Sequence, residues 1–593
     1  MSGPEQPADA PADASAVLEG GHSAAPLGVR AAGDRALLVE YARLEDVLAH
    51  HQQLCARPLD GQREAVAAAR TILLRFDAPA SAAAARQRLA ALQVAGFSAA
   101  EARVVGLDVV YDGEDLDAVA AAVSMSREAL IAWHAGQEWT GAFGGFAPGF
   151  TYCTPTDAAQ ALQVPRRETP RTALPAGSVA LAAEFSAVYP RVSPGGWQLI
   201  GRTDAAMWDL DRAAAGESPA LVRPGDVVRH RPVRELATLR DAPQPPEGDD
   251  AAEEPPDAAS EQPGLEVLDP GLQTLVQDLG REGLSDLGVS RAGVADEAAM
   301  RQANRLVGNA ADAAVLETLQ GGLRLRAAET VVLAVTGAEV GLQVVSADGA
   351  ARSPALRAPF ALIAGETLTL DAPRRGLRGV VAVRGGLAAE EVLGSVSADT
   401  MSGLGPAPLQ AGDRLAVADS ALAPVGAEEP STLPAPDADG AITLRVVLGP
   451  RDDWFAAEEL DRLQRQVWRV SAQADRIGVR LELGESAEDA DGTSSDAPRP
   501  LRRARDGELP SEGVPRGALQ VPPSGTPVLF LNDHPVTGGY PVIAVVLAED
   551  LSAAAQLAPG QHLRLRAVDG PDGPDGADAS DHPDHDPTTQ DTP

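Results

Sequence analysis

GGFAPGFTYC at residues 144–153, PRRETPRTALPAGSV at 165–179 and YPRVSPGGWQLIGRT at 189–203 use glycine and proline to shape the backbone and arginine to supply charge. Glycine at this density admits positive φ and close approach to the main chain. The prolines fix φ and remove N–H donors, so the segment reads as short strands and tight turns, not as helix. Arg166, Arg167, Arg171, Arg191 and Arg202 offer planar forks that suit a carboxylate or phosphate. Two readings stand level here: a ligand site, or a turn-rich β-barrel whose arginines are solvated.

Outward from this stretch, composition narrows the chemistry. The 593 residues are enough for several domains, and 44% hydrophobic with 3% aromatic content predicts aliphatic cores. The net charge of −36 argues against nucleic acid and anionic membrane surfaces as partners. No apolar run approaches the roughly 20 residues of a membrane span. The N-terminus lacks the basic start and apolar core of a signal peptide. Cys55 and Cys153 are the only cysteines, so no disulfide framework is expected and a cytoplasmic location is. There is no lysine: all 49 basic residues are arginine. That excludes a P-loop lysine, a Schiff-base lysine, a biotinyl-lysine carrier and a Ser-Ser-Lys amidase.

Low-complexity segments divide the chain. Residues 1–25 read as disordered, 241–263 as an acidic Pro-rich linker, and 570–593 as a disordered acidic tail. The tail's Asp-His-Pro-Asp-His-Asp run is compatible with loose metal binding, and a solvated tail is the simpler reading. Between these lie a small α/β sandwich (26–103), a mainly β domain (104–240), and two further β-lobes (264–422 and 441–569) separated by a linker at 423–440. Residues 485–506 read as an insertion. In the first domain, strands are expected at 36–41 and 71–76, a helix ending near His50, a helix over 80–92, and then a return strand. The fold class is α+β, mainly β.

An internal repeat supports the lobes. Leu-x-x-Gly turns recur at Leu174, Leu362, Leu409 and Leu557, with a longer variant at Leu221. PAGSVAL at 175, GGWQLIG at 195, Asp209-Leu210 and RPGDVVR at 223 echo, in order, PPSGTPVLFL at 522, GGYPVIA at 538, Asp550-Leu551 and APGQHLRLR at 558. An ordered series of this kind predicts a duplicated β-lobe.

The block PGFTY, VPRRETPR, PAGSVAL, YP and SPGGWQLIGRT closely resembles the B-type component of bacterial ATP-dependent 5-oxoprolinase, the allophanate hydrolase subunit 1 family. Beyond the linker, the run from Pro270 to Asn309, followed by LETLQGG, VRGG, LGSVSADT, GPRDDWF, ADRIGVRL and TGGYP, resembles the partner C-type component. The chain is thus identified as a fusion of the two, and the resemblance implies cyclophilin-like β-barrels. It also implies opening of 5-oxo-L-proline to L-glutamate with ATP and Mg²⁺, together with a separate A-type subunit that no part of this chain resembles. The same architecture occurs as a biotin-dependent carboxyltransferase of the urea carboxylase type, which here would need its carrier in trans, and as a regulator of a histidine kinase. Whether the chain forms a homo-oligomer is left open.

Under the 5-oxoprolinase reading the chemistry needs cations for phosphate or carboxylate, and a proton shuttle. Arg166, Arg171 and Arg202 are the N-terminal candidates for ATP or substrate. Gly144, Gly145, Gly195 and Gly196 are candidates for backbone anion binding. His134, at a helix end, is the candidate acid/base, or else a histidine placed there by the helix dipole. In the C-terminal half Gln277, Asp278 and Arg281 form a loop constellation, Asp278 and Arg281 being either a site pair or a loop-locking salt bridge. Asp296, Asn304, Asp475-Arg476, Asp533 and Tyr540 complete the set, with Asp278 and Asp533 taken as catalytic. No metal ligand set is assigned. His534 stands where the family usually has arginine, which removes a permanent charge from that loop.

Overall fold

The apolar run Ala36–Glu40 lies at the centre of a four-stranded antiparallel sheet, between Gly28–Ala31 and Thr71–Phe76, with Gln62–Ala67 at the far edge. This computed structural model describes residues 24–94, 102–167, 169, 171–236, 264–420, 423–484, 498–507 and 509–570. The expected disordered segments and the insertion fall largely outside those residues. Both sheet faces are buried, as an unbroken apolar strand requires. Leu37, Val39, Ile72 and Leu74 pack with Val47, Leu54, Ala82 and Leu89 of the helices Leu44–Ala56 and Pro79–Ala90. On the other face, Leu38, Val66 and Leu73 form a second cluster. There Gly513 of the C-terminal half comes so close that a Cβ would collide with Leu73. The first helix runs to Ala56, past the end expected near His50. The return strand expected between the second helix and Val104 falls largely outside the described residues, and the strand Val104–Val109 belongs to the next sheet, where it pairs parallel with Val227–Pro232.

That next sheet has seven strands, in the order Gln198–Arg202, Ser178–Ala182, Phe185–Val188, Ala147–Pro155, Trp139–Gly145, Val227–Pro232, Val104–Val109. Paired 2.9 Å hydrogen bonds between Val110 and Arg202 join its ends, so the barrel is nearly closed. The last lobe is a closed seven-stranded barrel, in the order Ile442–Leu448, Val542–Val546, Ala518–Gln520, Val528–Phe530, Gly478–Leu483, Trp468–Val470, His562–Ala567. Read as circles, the two orders are identical, and in each the first and last strands pair in parallel. The duplication is real, with one correction. PAGSVAL corresponds to PRGALQV at 515–521, not to the PPSGTPVLFL stretch: both PAG and PRG put a positive-φ glycine (Gly177 at 80°, Gly517 at 87°) before matching strands. Leu-x-x-Gly and Val-x-x-Gly serve the same turn, and the sequence series had slipped by one strand.

Between the barrels, the first C-terminal lobe has a six-stranded and a five-stranded sheet. Helix Glu297–Val307 lies on the latter through Met300, Ala303, Leu306 and Val307. The fold is therefore α+β and mainly β, built on duplicated barrels. No helix among the described residues is long and apolar enough to cross a membrane.

Candidate functional site

Seven residues, SVSADTM at 395–401, gather polar groups from three parts of the chain. Gln277 donates from Nε2 to the Ala398 carbonyl at 2.9 Å. Asp278 accepts from the Ser395 hydroxyl at 2.6 Å, from the Ser397 hydroxyl, and from the N–H groups of Gly280 (2.7 Å) and Val396 (3.0 Å). Burial opposes charge on that carboxyl, but these four donors outweigh it and hold its pKa below the ordinary value. Arg281, 3% exposed, donates to the carbonyls of Val392 and Ser397. Asp278 and Arg281 are thus neither a free pair nor bonded to each other. Each locks the same segment separately.

From the last barrel, Asp533 accepts from the Thr400 N–H (2.9 Å) and hydroxyl (2.7 Å), and from Arg476 at 2.9 and 2.8 Å. Arg476 also bonds Glu317 and the Gly293 carbonyl, which ties the two C-terminal lobes together. From the N-terminal half, Arg191 reaches the Met401 carbonyl. Asp399 accepts from Ser290 (2.7 Å) and from the N–H groups of Met401 and Ser402. Burial, then the nearby Asp533, raise its pKa. Burial lowers the pKa of both Arg281 and Arg191, against the pull of Asp399. Among the described residues, Nη1 of Arg281 and Nε of Arg191 are buried without hydrogen-bond partners. Such orphaned donors call for an acceptor.

A second meeting of motifs lies beside this hub. A Cβ on Gly145 would collide with Thr537 of TGGYP, and one on Gly144 with the Asp286 carbonyl. These glycines pack the seam between the halves and are not an anion cradle. Tyr152 lies against Ser511 and Thr537 across the same seam. Its hydroxyl pKa is raised by burial, against the opposing effects of Arg166 and those two residues. Tyr152 stacks on Phe143, and with Phe146, Phe150, Phe185, Tyr189 and Trp197 forms one aromatic cluster.

The remaining sequence candidates sit elsewhere. His134 is wholly buried, with Tyr111 on Nδ1 (2.7 Å) and Ser186 on Nε2 (2.9 Å), and burial and then His230 depress its pKa. The duplication shows what the position is for. Trp139 donates to the His134 carbonyl, and in the last barrel Trp468 donates likewise to Leu463. A leucine fills the equivalent core site, so His134 is a core residue and no acid/base. Arg171 is bound by Asp115 and Glu114, Arg167 by Asp115, and Arg202 by Asp112. Gly195 makes room for the Tyr189 hydroxyl, and Gly196 accepts from the Arg167 N–H. Asp296 caps helix Glu297–Val307 and bonds Gln556, and burial raises its pKa. Asn304 fixes a turn through Ala313 and Asn309. Tyr540 is 46% exposed, under the Arg503 guanidinium. Sequence reading nominated Gln277, Asp278, Arg281, Arg476 and Asp533, and named Arg191 among the five arginines of the Gly/Pro-rich stretch. The hub unites these, but sequence reading missed Ser395, Ser397, Asp399 and Thr400. The available signal was a run of polar side chains between apolar strands.

Two family models match the chain: carboxyltransferase domain, subdomain C and D, over residues 27–218, and carboxyltransferase domain, subdomain A and B, over residues 287–567. The C-type 5-oxoprolinase component of Escherichia coli (strain K12) is 35% identical over 294 residues, 49% of this chain and 86% of that protein. The B-type 5-oxoprolinase component of Escherichia coli O157:H7 is 41% identical over 138 residues, 23% of this chain and 61% of that protein. The solved structure of TTHA0988 aligns with a TM-score of 0.71 at 34% identity, over 90% of this chain and 99% of that one. Duplicated barrels around one polar hub thus define a carboxyltransferase-domain protein. Within that class, the chain belongs to the allophanate hydrolase subunit family, as a fusion of B-type and C-type units.

Proposed function

We propose that the chain is the B–C component of an ATP-dependent 5-oxoprolinase, opening 5-oxo-L-proline to L-glutamate together with a separate A-type subunit. One observation carries the reading. Each half resembles one 5-oxoprolinase component, and the halves meet motif on motif, GGFAPGFTY against TGGYP and YPRVSPGG against SVSADTM. A site divided between two polypeptides is then assembled within one chain.

The substrate is a five-membered lactam bearing a carboxylate. Arg191 and Arg281 each keep one unpartnered N–H at the hub, and arginine forks suit a carboxylate. We assign those donors to the substrate carboxylate. Asp399 between them, with its raised pKa, is the group suited to hold a proton. Of the residues nominated from sequence for the nucleotide, two arginines and three glycines are already engaged. Arg171 and Arg202 already have carboxylate partners, Gly144 and Gly145 pack the seam, and Gly195 packs on Tyr189. No step through ATP or Mg²⁺ is therefore placed on this chain.

The test is reconstitution: the chain, a cognate A-type subunit, 5-oxoproline, ATP and Mg²⁺ should yield glutamate and ADP. No turnover with any A-type partner would sink the proposal. Arg191→Ala should raise KM for 5-oxoproline about tenfold or more, the loss of about 1.4 kcal/mol or more from a charged hydrogen bond, with a smaller change in kcat. Arg191→Lys should not restore it, because the fork is lost. His134→Leu should keep both constants within about twofold. It should lower stability by about 1–3 kcal/mol, from the Tyr111 and Ser186 hydroxyls left unpaired. The match to carboxyltransferase domains favours a second reading, transfer of a carboxyl group from a separate biotin carrier. Consumption of a carboxylated carrier without glutamate release would select it.

A further inference from the structure

Helix Leu44–Ala56 places His51 and Cys55 one turn apart on one face, the i,i+4 spacing of two groups that can share a ligand. Opposite them stands Asp286, in the short turn Ser285–Leu287 of the C-terminal half. That turn is held against the N-terminal half by Ser285 on Glu64, by Arg75 on Glu282, and by the space at Gly144 that admits the Asp286 carbonyl. The three donor atoms all lie within 4.8 Å of one another. His51 Nε2 is 3.1 Å from Asp286 Oδ1, 3.4 Å from Cys55 Sγ and 3.2 Å from the Ala65 carbonyl oxygen. A ring nitrogen carries at most one hydrogen, so three acceptors converge where only one can be served.

A divalent metal ion resolves that conflict. In tetrahedral zinc sites, N–Zn and O–Zn bonds of about 2.0–2.1 Å and S–Zn bonds of about 2.3 Å set ligand separations of roughly 3.3 Å (N to O) and 3.5 Å (N to S). Those are nearly the separations already present. We propose that His51, Cys55 and Asp286 bind one Zn²⁺-class ion that clamps the first domain to the C-terminal half. Without metal the site favours a bound proton: burial opposes charge on His51, but Asp286 and Cys55 outweigh it and raise its pKa. Metal binding displaces that proton and the Cys55 thiol proton, and both are released to solvent. Neutral imidazole, thiolate and carboxylate then balance the 2+ charge, as protonated imidazole, thiol and carboxylate balanced before. Three protein ligands leave a fourth position for water, reachable because Cys55 is exposed.

The test uses the full chain, stripped with chelator and titrated with Co²⁺ alone. A thiolate-to-Co²⁺ charge-transfer band should saturate at one equivalent and be displaced by Zn²⁺. Cys55→Ser, at an exposed position, should abolish the band and the rise in melting temperature that Zn²⁺ gives the unaltered chain. Asp286→Asn should weaken Co²⁺ binding about tenfold or more while the band persists at high Co²⁺. Binding without a thiolate band, as the Asp/His tail would give, overturns the proposal, and so does a band that survives Cys55→Ser. These readouts are independent of 5-oxoproline turnover, so either reading can fail alone.

Discussion

Asp533→Ala should lower the stability of the C-terminal half by about 3–5 kcal/mol, the largest effect of any single substitution argued for this chain. Asp533 is wholly buried and accepts four hydrogen bonds, two from Arg476 and two from Thr400. Truncating it leaves the Arg476 guanidinium, itself 3% exposed, with Glu317 as its one carboxylate partner. It also leaves the Thr400 N–H without an acceptor. The contrast is Glu482→Ala. Its partner Arg469 lies 2.8 Å away, but the two side chains are 44% and 46% exposed, and such pairs contribute about 0–1 kcal/mol. Calorimetry of both variants, read at the transition of the C-terminal half, makes the comparison. A loss of less than about 1 kcal/mol for Asp533→Ala would mean that Arg476 finds another partner. Because Thr400 belongs to the 395–401 hub, the same variant should lose turnover below its unfolding temperature.

Much of the fold was legible because its signals are local. ALLVE reads as a doubly buried strand, GGW and GGY stand at the ends of equivalent short strands, and Asp209-Leu210 and Asp550-Leu551 open equivalent short helices. The register of the repeat was misread for a physical reason. PAGSVAL and PRGALQV share only the proline, the positive-φ glycine and strand-forming residues, whereas PPSGTPVLFL has a more apolar strand and draws the eye. The hub was half legible. Gln277, Asp278, Arg281 and Asp533 sit in dense motifs, but their common target is more than 100 residues from each of them in sequence. No periodicity reports a long-range polar contact of that kind. Arg167 and Arg171 of PRRETPR misled for a related reason. Their partners Glu114 and Asp115 lie more than 50 residues upstream, so the charge looked free in sequence and is neutralised in the fold.

The first barrel should lose stability as pH falls from about 6.5, before most carboxylates titrate. His134 and His230 lie against each other in its core, with ring centroids 4.2 Å apart and the rings tilted by 37°. Burial pushes the His230 pKa down to about 3, and burial with that neighbour pushes His134 well below its ordinary value. Both are therefore neutral in the folded chain, while the unfolded chain protonates them near pH 6.5. Where the unfolded state binds more protons, stability rises with pH. The contribution is fully present above about pH 6.5 and declines below it. For His230 alone the loss is about 2 kcal/mol at pH 5, at 1.36 kcal/mol per pKa unit. The duplicate barrel supplies the control. Leu463 stands at the His134 position and Leu565, three residues after His562 in the closing strand, at the His230 position; both are buried. The double variant His134→Leu/His230→Leu rebuilds that leucine pair in the first barrel. Its stability between pH 6.5 and 5 should be flatter than that of the unaltered chain by about 2 kcal/mol or more. Equal slopes for the two proteins would show that the histidines take up protons over the same pH range in the fold as in the unfolded chain, and would return His134 to the list of groups able to exchange a proton.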